Sequence, residues 1–142
     1  MTRVVIDPNV LIAALISPRG APADIYRALS RGRFELVTSL HLLAELERVL
    51  QRPKFRRYGS IEDAHHYVAA IGRLSTVLED PPPTRHVPAD AGDDYLVTLA
   101  RATDADAIVS GDRHLLDLVD LQPAVLTPRA FVELLDEPRA GA

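Results

Sequence analysis

From its amino end the chain alternates short apolar runs with longer stretches whose apolar positions recur every three or four residues. RVVI at 3–6 fits a short buried strand, and VLIAALI at 10–16, after an Asp7-Pro8-Asn9 turn, starts a helix that SPRGAPA breaks. ADIYRALSRG places Ile25, Ala28 and Leu29 at helical spacing and ends at Gly32, ahead of a second strand, FELVTS. Ser39 can cap the helix LHLLAELERVLQR, where Leu42, Leu43, Leu46, Val49 and Leu50 form one stripe and Pro53 stops it. A helix IEDAHHYVAAIGRL and a strand TVLE follow. The remainder reads as helix DYLVTLARAT, strand AIVS, short helix RHLLDLV, strand AVLT and a closing helix PRAFVELLDE with Pro128 in its first turn.

Strands alternating with helices predict an α/β fold, a mostly parallel sheet covered on both faces, in which ligands bind outside the carboxyl ends of the strands. A length of 142 residues suits one domain over 1–142. The Pro-rich DPPPTRHVPADAGD is short enough to be a rigid connection within it. There is no internal repeat.

Composition narrows the chemistry. With no cysteine, disulfides, thiolate metal sites and cysteine nucleophiles drop out, leaving oxygen and imidazole. The apolar start is interrupted by Asp7-Pro8-Asn9 and so lacks a signal-peptide pattern, and no stretch nears the roughly 18 apolar residues of a membrane span. The expectation is a cytoplasmic protein without a membrane partner. A net charge of −4 leaves room for a local basic patch, so nucleic acid stays open.

Carboxylates stand where strands end. Asp7 directly follows RVVI, and Asp112 follows AIVS through Gly111; each fits a site residue or an N-cap of the next helix about equally. Asn9 can support Asp7 or simply cap. Asp93 and Asp94 precede Leu96, Val97, Leu99 and Ala100, and at roughly 100° per residue Asp93 falls on the inward side and Asp94 on the outward side. Glu45 and Glu47 flank the leucine stripe symmetrically, and periodicity does not choose between them. Such carboxylates gathered together repel unless protons or a cation neutralise them, and oxygen ligands select a hard ion, Mg²⁺ or Mn²⁺. Divalent ions held this way activate water and stabilise charge on a phosphate during phosphodiester cleavage.

The motifs VVIDPNVLIAAL, LLAELERVL, DAGDDYLVTLA and ADAIVSGDRHLL, in this order, resemble the PIN-domain ribonucleases found as toxins of prokaryotic toxin–antitoxin pairs. The closing VLTPRAFVELL resembles the last strand and helix of one PIN subgroup. The resemblance implies a three-layer α/β/α domain with a parallel sheet of four or five strands, and catalytic metal ligands Asp7, Glu45, Asp93 and Asp112. It adds Asp94 as a further ligand, selects Glu45 over Glu47, and places Asn9 and Ser110 in support. An RNA substrate, a cognate antitoxin and a homodimer are implied as partners. Two positions depart from the family pattern: Pro8 stands where Thr is common, and His114 where an acidic residue is common.

RVLQRPKFRRY gathers Arg48, Arg52, Lys54, Arg56 and Arg57 around Phe55 and Tyr58, which fits an RNA-backbone surface or an ordinary solvated helix end. Arg113 stands beside the acidic site and can meet a phosphate. His41, His65, His66 and His86 lack metal-ligand spacing and read as surface residues. Two functions compete: a metal-dependent endoribonuclease hydrolysing RNA with no covalent intermediate, and a catalytically silent PIN-like module binding RNA or protein. A response-regulator receiver is a distant third, since the only lysine, Lys54, lies far from the last strand.

Overall fold

A computed structural model describes residues 1–79, 94–118 and 122–137. Five strands, β1 (Arg3–Ile6), β2 (Glu35–Ser39), β3 (Ser75–Leu78), β4 (Ala107–Val109) and β5 (Ala124–Leu126), form one sheet in the order β3-β2-β1-β4-β5. Every pairing is parallel, with Val4 opposite both Leu36 and Ala107. β1 is central, and its Val4, Val5 and Ile6 are fully buried, as a strand covered on both faces requires.

The helices are α1 (Pro8–Ile16), α2 (Ala21–Ser30), α3 (Leu40–Leu50), α4 (Ile61–Leu74), α5 (Asp94–Ala102), α6 (Arg113–Leu116) and α7 (Pro128–Asp136). β1 to β2 to β3 steps outward on one side of the sheet, while β4 and β5 lie on the other. Parallel crossovers are right-handed, so the change of direction puts α1 to α4 on one face and α5 on the opposite one. α7 packs on α2 and returns to the first face. Helices therefore cover both faces of a five-stranded parallel sheet, the architecture that the alternating pattern predicts.

The apolar stripes do the packing. Leu42, Leu46 and Leu50 of α3, Ile71 of α4, and Leu96, Val97, Leu99 and Ala100 of α5 are essentially inaccessible to solvent and join the sheet residues in one core. Each buried leucine contributes about 1.5–3 kcal/mol. Phe131 of α7 meets Phe34 edge-to-face at 5.0 Å, anchoring the last helix beside the start of β2.

Three local features differ from the pattern-based expectation. α1 begins at Pro8, so Asp7-Pro8-Asn9 is the cap and first turn of the helix rather than a separate turn. α6 ends at Leu116, short of the predicted span, with only Leu115 buried. Pro53–Tyr58 forms a 3₁₀ helix, which apolar periodicity does not signal in so short a segment. The predicted Pro-rich connection and Asp93 lie outside the described residues. Among the described residues, no helix is long and apolar enough to cross a membrane.

Candidate active site

The strand order reverses between β1 and β4, which is where an open parallel sheet leaves a crevice at its carboxyl edge. Asp7 emerges there from β1, and Ser110 and Asp112 from β4. The Asp7 N–H donates to the Val109 carbonyl at 2.9 Å, which continues the ladder one residue past the strands and fixes the two chain exits side by side.

Asp7 is 5% exposed and each of its oxygens has a defined partner. Oδ1 accepts the Asn9 N–H at 3.0 Å and Oδ2 accepts the Ser110 hydroxyl at 2.8 Å. Ser110, itself fully buried, also accepts the Asp112 N–H at 3.0 Å, so one hydroxyl ties the two aspartate loops together. Asp112 Oδ1 in turn accepts the His114 N–H at 2.8 Å, and no other hydrogen bond to the Asp112 side chain occurs among the described residues. Both aspartates are thus helix N-caps and strand-end carboxylates at once. Being a cap orients each carboxylate without exhausting it.

Burial raises the Asp7 pKa above the usual aspartate range, against the Asn9 and Ser110 hydrogen bonds, which lower it; the negative charges of Asp112 and Glu45 raise it further. Those charge effects place Glu45 and Asp112 in the same field as Asp7. Glu45 and Glu47 have nearly equal side-chain exposure, 34% and 33%, so burial does not separate them. Their partners do. Glu47 turns to His65 of α4, with Nδ1 to Oε1 at 2.5 Å, whereas Glu45 pairs with Arg48 at 3.2 Å and His41 at 3.7 Å and acts on Asp7.

The supporting positions act mostly through the backbone. Asn9 is exposed and contributes its N–H. Pro8 occupies the first helical position, where a backbone N–H has no intrahelical acceptor, so it removes no donor that Asp7 uses. His114 contributes its N–H to the Asp112 cap. Asp94 opens α5, and Asp93 lies outside the described residues.

The chemistry of the group fits a hard divalent cation: carboxylate oxygens only, one of them with its proton affinity raised first by burial and then by two like-charged neighbours. Among the described residues, no three His, Asp or Glu side chains converge tightly enough to ligate one ion directly. A cavity of about 400 Å³ lined by Met1, Thr2, Arg33 and Leu135 lies at the amino ends of β1 and β2, at the opposite edge from these carboxylates.

The basic run is divided. Arg48, Arg52, Lys54 and Arg57 are exposed, with Arg57 over the Tyr58 ring at 5.5 Å and Lys54 over Phe55 at 5.2 Å. Arg56 instead turns inward, its Nη2 donating to the Leu50 carbonyl at the end of α3, with Nε and Nη1 buried. Arg113 is exposed beside Asp112. His41 packs edge-to-face on Tyr95 at 4.5 Å, a contact that joins α3 to α5 and that no motif signals. The four-residue spacing of His41 and Glu45 signals only their own pairing along α3.

The sequence profile of the PIN domain matches residues 3–114, so the chain belongs to the PIN-domain family. It is 29% identical over 140 residues to the uncharacterized protein MJ1680 of Methanocaldococcus jannaschii, covering 92% of this chain and 90% of that one. The fold is similar to that of PAE2754 from Pyrobaculum aerophilum, with a TM-score of 0.64 and 19% identity over 94% of this chain and 89% of the other. It is also similar to VapBC2 from Rickettsia felis, solved bound to a DNA fragment from their promoter, with a TM-score of 0.63 and 11% identity over 89% and 98% of the two chains. PIN domains are generally nucleases.

Proposed function

We propose that this protein is a Mg²⁺- or Mn²⁺-dependent endoribonuclease, a single PIN domain over residues 1–142, acting in the cytoplasm as the toxin of a toxin–antitoxin pair. The observation that carries the nuclease reading is Asp7, buried at the switch point, its affinity for a proton raised by burial and by Asp112 and Glu45. The likeness to VapBC2 supports a cognate antitoxin as partner, and the family resemblance supports a homodimer.

In this reading Asp7, Glu45, Asp93 and Asp112 hold the ion, directly or through water, with Asp94 as an additional ligand. When bound, the divalent ion lowers the pKa of water and offsets negative charge gathering on the phosphate. The chain's own residues supply position. Ser110 locks the Asp7 and Asp112 loops to each other, and the Asn9 and His114 N–H groups fix one oxygen of each aspartate. Arg113 contacts the phosphate beside Asp112. Arg48, Arg52, Lys54 and Arg57 extend a cationic track from Glu45 along the end of α3 for the RNA backbone.

Cleavage of labelled structured and single-stranded RNAs with Mg²⁺, Mn²⁺ or EDTA, comparing wild type with Asp7→Asn and Asp112→Asn, tests the proposal. Cleavage that requires metal and both carboxylates is expected. Undiminished cleavage by Asp7→Asn overturns the assignment, and RNA affinity that survives chelation with no cleavage supports the silent binding module instead.

A further inference from the structure

β3 forms one margin of the sheet and, among the described residues, has β2 as its only neighbouring strand. Half of an edge strand's N–H and C=O groups face away from that neighbour, and proteins blunt such an edge with lysine, proline, a bulge or a covering element. β3 carries none of the first three, since it reads STVL and pairs residue for residue with Leu36 to Ser39. It is also poorly covered. Val77 is 38% exposed and Leu78 39%, and because successive side chains of a strand point to opposite faces, the margin is open on both. Leu74, the last residue of α4, adds a third exposed apolar side chain beside them. The other margin, β5, is shorter, and its Val125 and Leu126 are half-buried.

The charges at the two ends of β3 select what fits it. Arg73 and Glu79 stand three residues on either side of Thr76, both exposed, and neither has an ion-pair partner among the described residues. A second copy of this chain laid antiparallel along β3, with the twofold axis at Thr76, brings each Arg73 to the other copy's Glu79 and sets Ser75 opposite Val77, the same patch meeting itself. Parallel pairing puts like charges together instead, which opposes it. The chain that follows Glu79 contains Pro81, Pro82, Pro83 and Pro88, which have no N–H to donate to a ladder. We infer that two copies of this protein join antiparallel through their β3 edges into one continuous sheet. The inference rests on the homodimer reading, to which it gives a face, and is independent of the nuclease reading. In such a pair the strands of the two copies run in opposite directions, so the two Asp7 crevices open on opposite sides of the joint sheet and each takes its own substrate.

Sedimentation velocity and oxidative crosslinking of the full chain test the inference, and the absence of native cysteine makes single-cysteine variants clean reporters. Wild type should dimerise. Thr76→Cys should form a disulfide-linked dimer on mild oxidation, whereas Glu62→Cys, exposed at the start of α4, should not. Val77→Lys, at an exposed position, should raise the dimer dissociation constant about tenfold or more while the protein stays folded by circular dichroism. Arg73→Glu should weaken the dimer, and Arg73→Glu combined with Glu79→Arg should restore it, a rescue that damage confined to the end of α4 would not show. A wild type that is monomeric at about 100 µM overturns both the edge pairing and the homodimer reading, and leaves the edge to a strand of another protein. A dimer indifferent to Val77→Lys and to the Arg73 and Glu79 variants keeps the homodimer reading and overturns the pairing through β3.

Discussion

Asp7 shows how one residue answers two demands. As an N-cap it holds α1, and as a buried carboxylate it carries a charge that its surroundings disfavour. Because its pKa is raised in the fold, the native state binds more protons than the unfolded chain between the ordinary aspartate value and the raised one. Stability is therefore lost as pH rises through that window, and the loss is complete above the raised pKa. Asp7→Asn keeps the shape and can still accept the Asn9 N–H, so in the presence of a chelator it should melt at a higher temperature than wild type at neutral pH. The advantage should shrink on acidification below the ordinary aspartate range, and thermal unfolding across pH reads both. Ser110→Ala should act in the opposite sense, leaving a buried Asp7 oxygen without its donor at a cost of about 1–3 kcal/mol, seen in urea unfolding and as reduced cleavage. The sequence placed Asp7 and Asp112 at strand ends but offered cap and site as alternatives. The cap reading holds for both, because a strand that ends at the crevice hands its chain straight to a helix N-terminus, and capping leaves each carboxylate placed for the role proposed above.

At the scale of elements, the surroundings of α3 distinguish its two glutamates. Apolar periodicity put Glu45 and Glu47 on symmetric flanks, and the structure separates them only through what lies on each side: α4 with His65, or the crevice with Asp7. No property of the helix alone contains that information. The cap of the helix was legible, since Ser39 accepts the Leu42 N–H at 3.1 Å as its position predicts. Ser39→Ala should cost about 1 kcal/mol in denaturant unfolding, with a loss of cleavage at temperatures where folding is still complete, because α3 carries Glu45. Ser39→Thr should retain most of both. The 3₁₀ helix of Pro53–Tyr58 escaped the pattern, and with it the inward turn of Arg56, because a segment of one or two turns shows no apolar period.

At the scale of the molecule, alternating strands and helices announced a parallel sheet, but the order β3-β2-β1-β4-β5 depends on the direction in which each crossover travels, which no local pattern records. That order creates the crevice by placing β1 beside β4, two strands about a hundred residues apart in sequence. The core beneath it is continuous, so damage should spread. Leu46→Ala, on the buried face of α3, should lower global stability by about 2–5 kcal/mol and shift the unfolding of the whole domain together, measured by coincident circular dichroism and fluorescence-dye transitions.

The proposed activity requires that the carboxylates of Asp7, Glu45 and Asp112 act together in holding a divalent cation, and Mn²⁺ titration by calorimetry at neutral pH tests this most directly. Wild type should bind, Asp7→Asn should lose binding, Glu45→Gln should weaken it, and Glu47→Gln, whose carboxylate is engaged with His65, should bind as wild type does. Equal Mn²⁺ affinity in wild type and Asp7→Asn, with both proteins folded, would contradict the account.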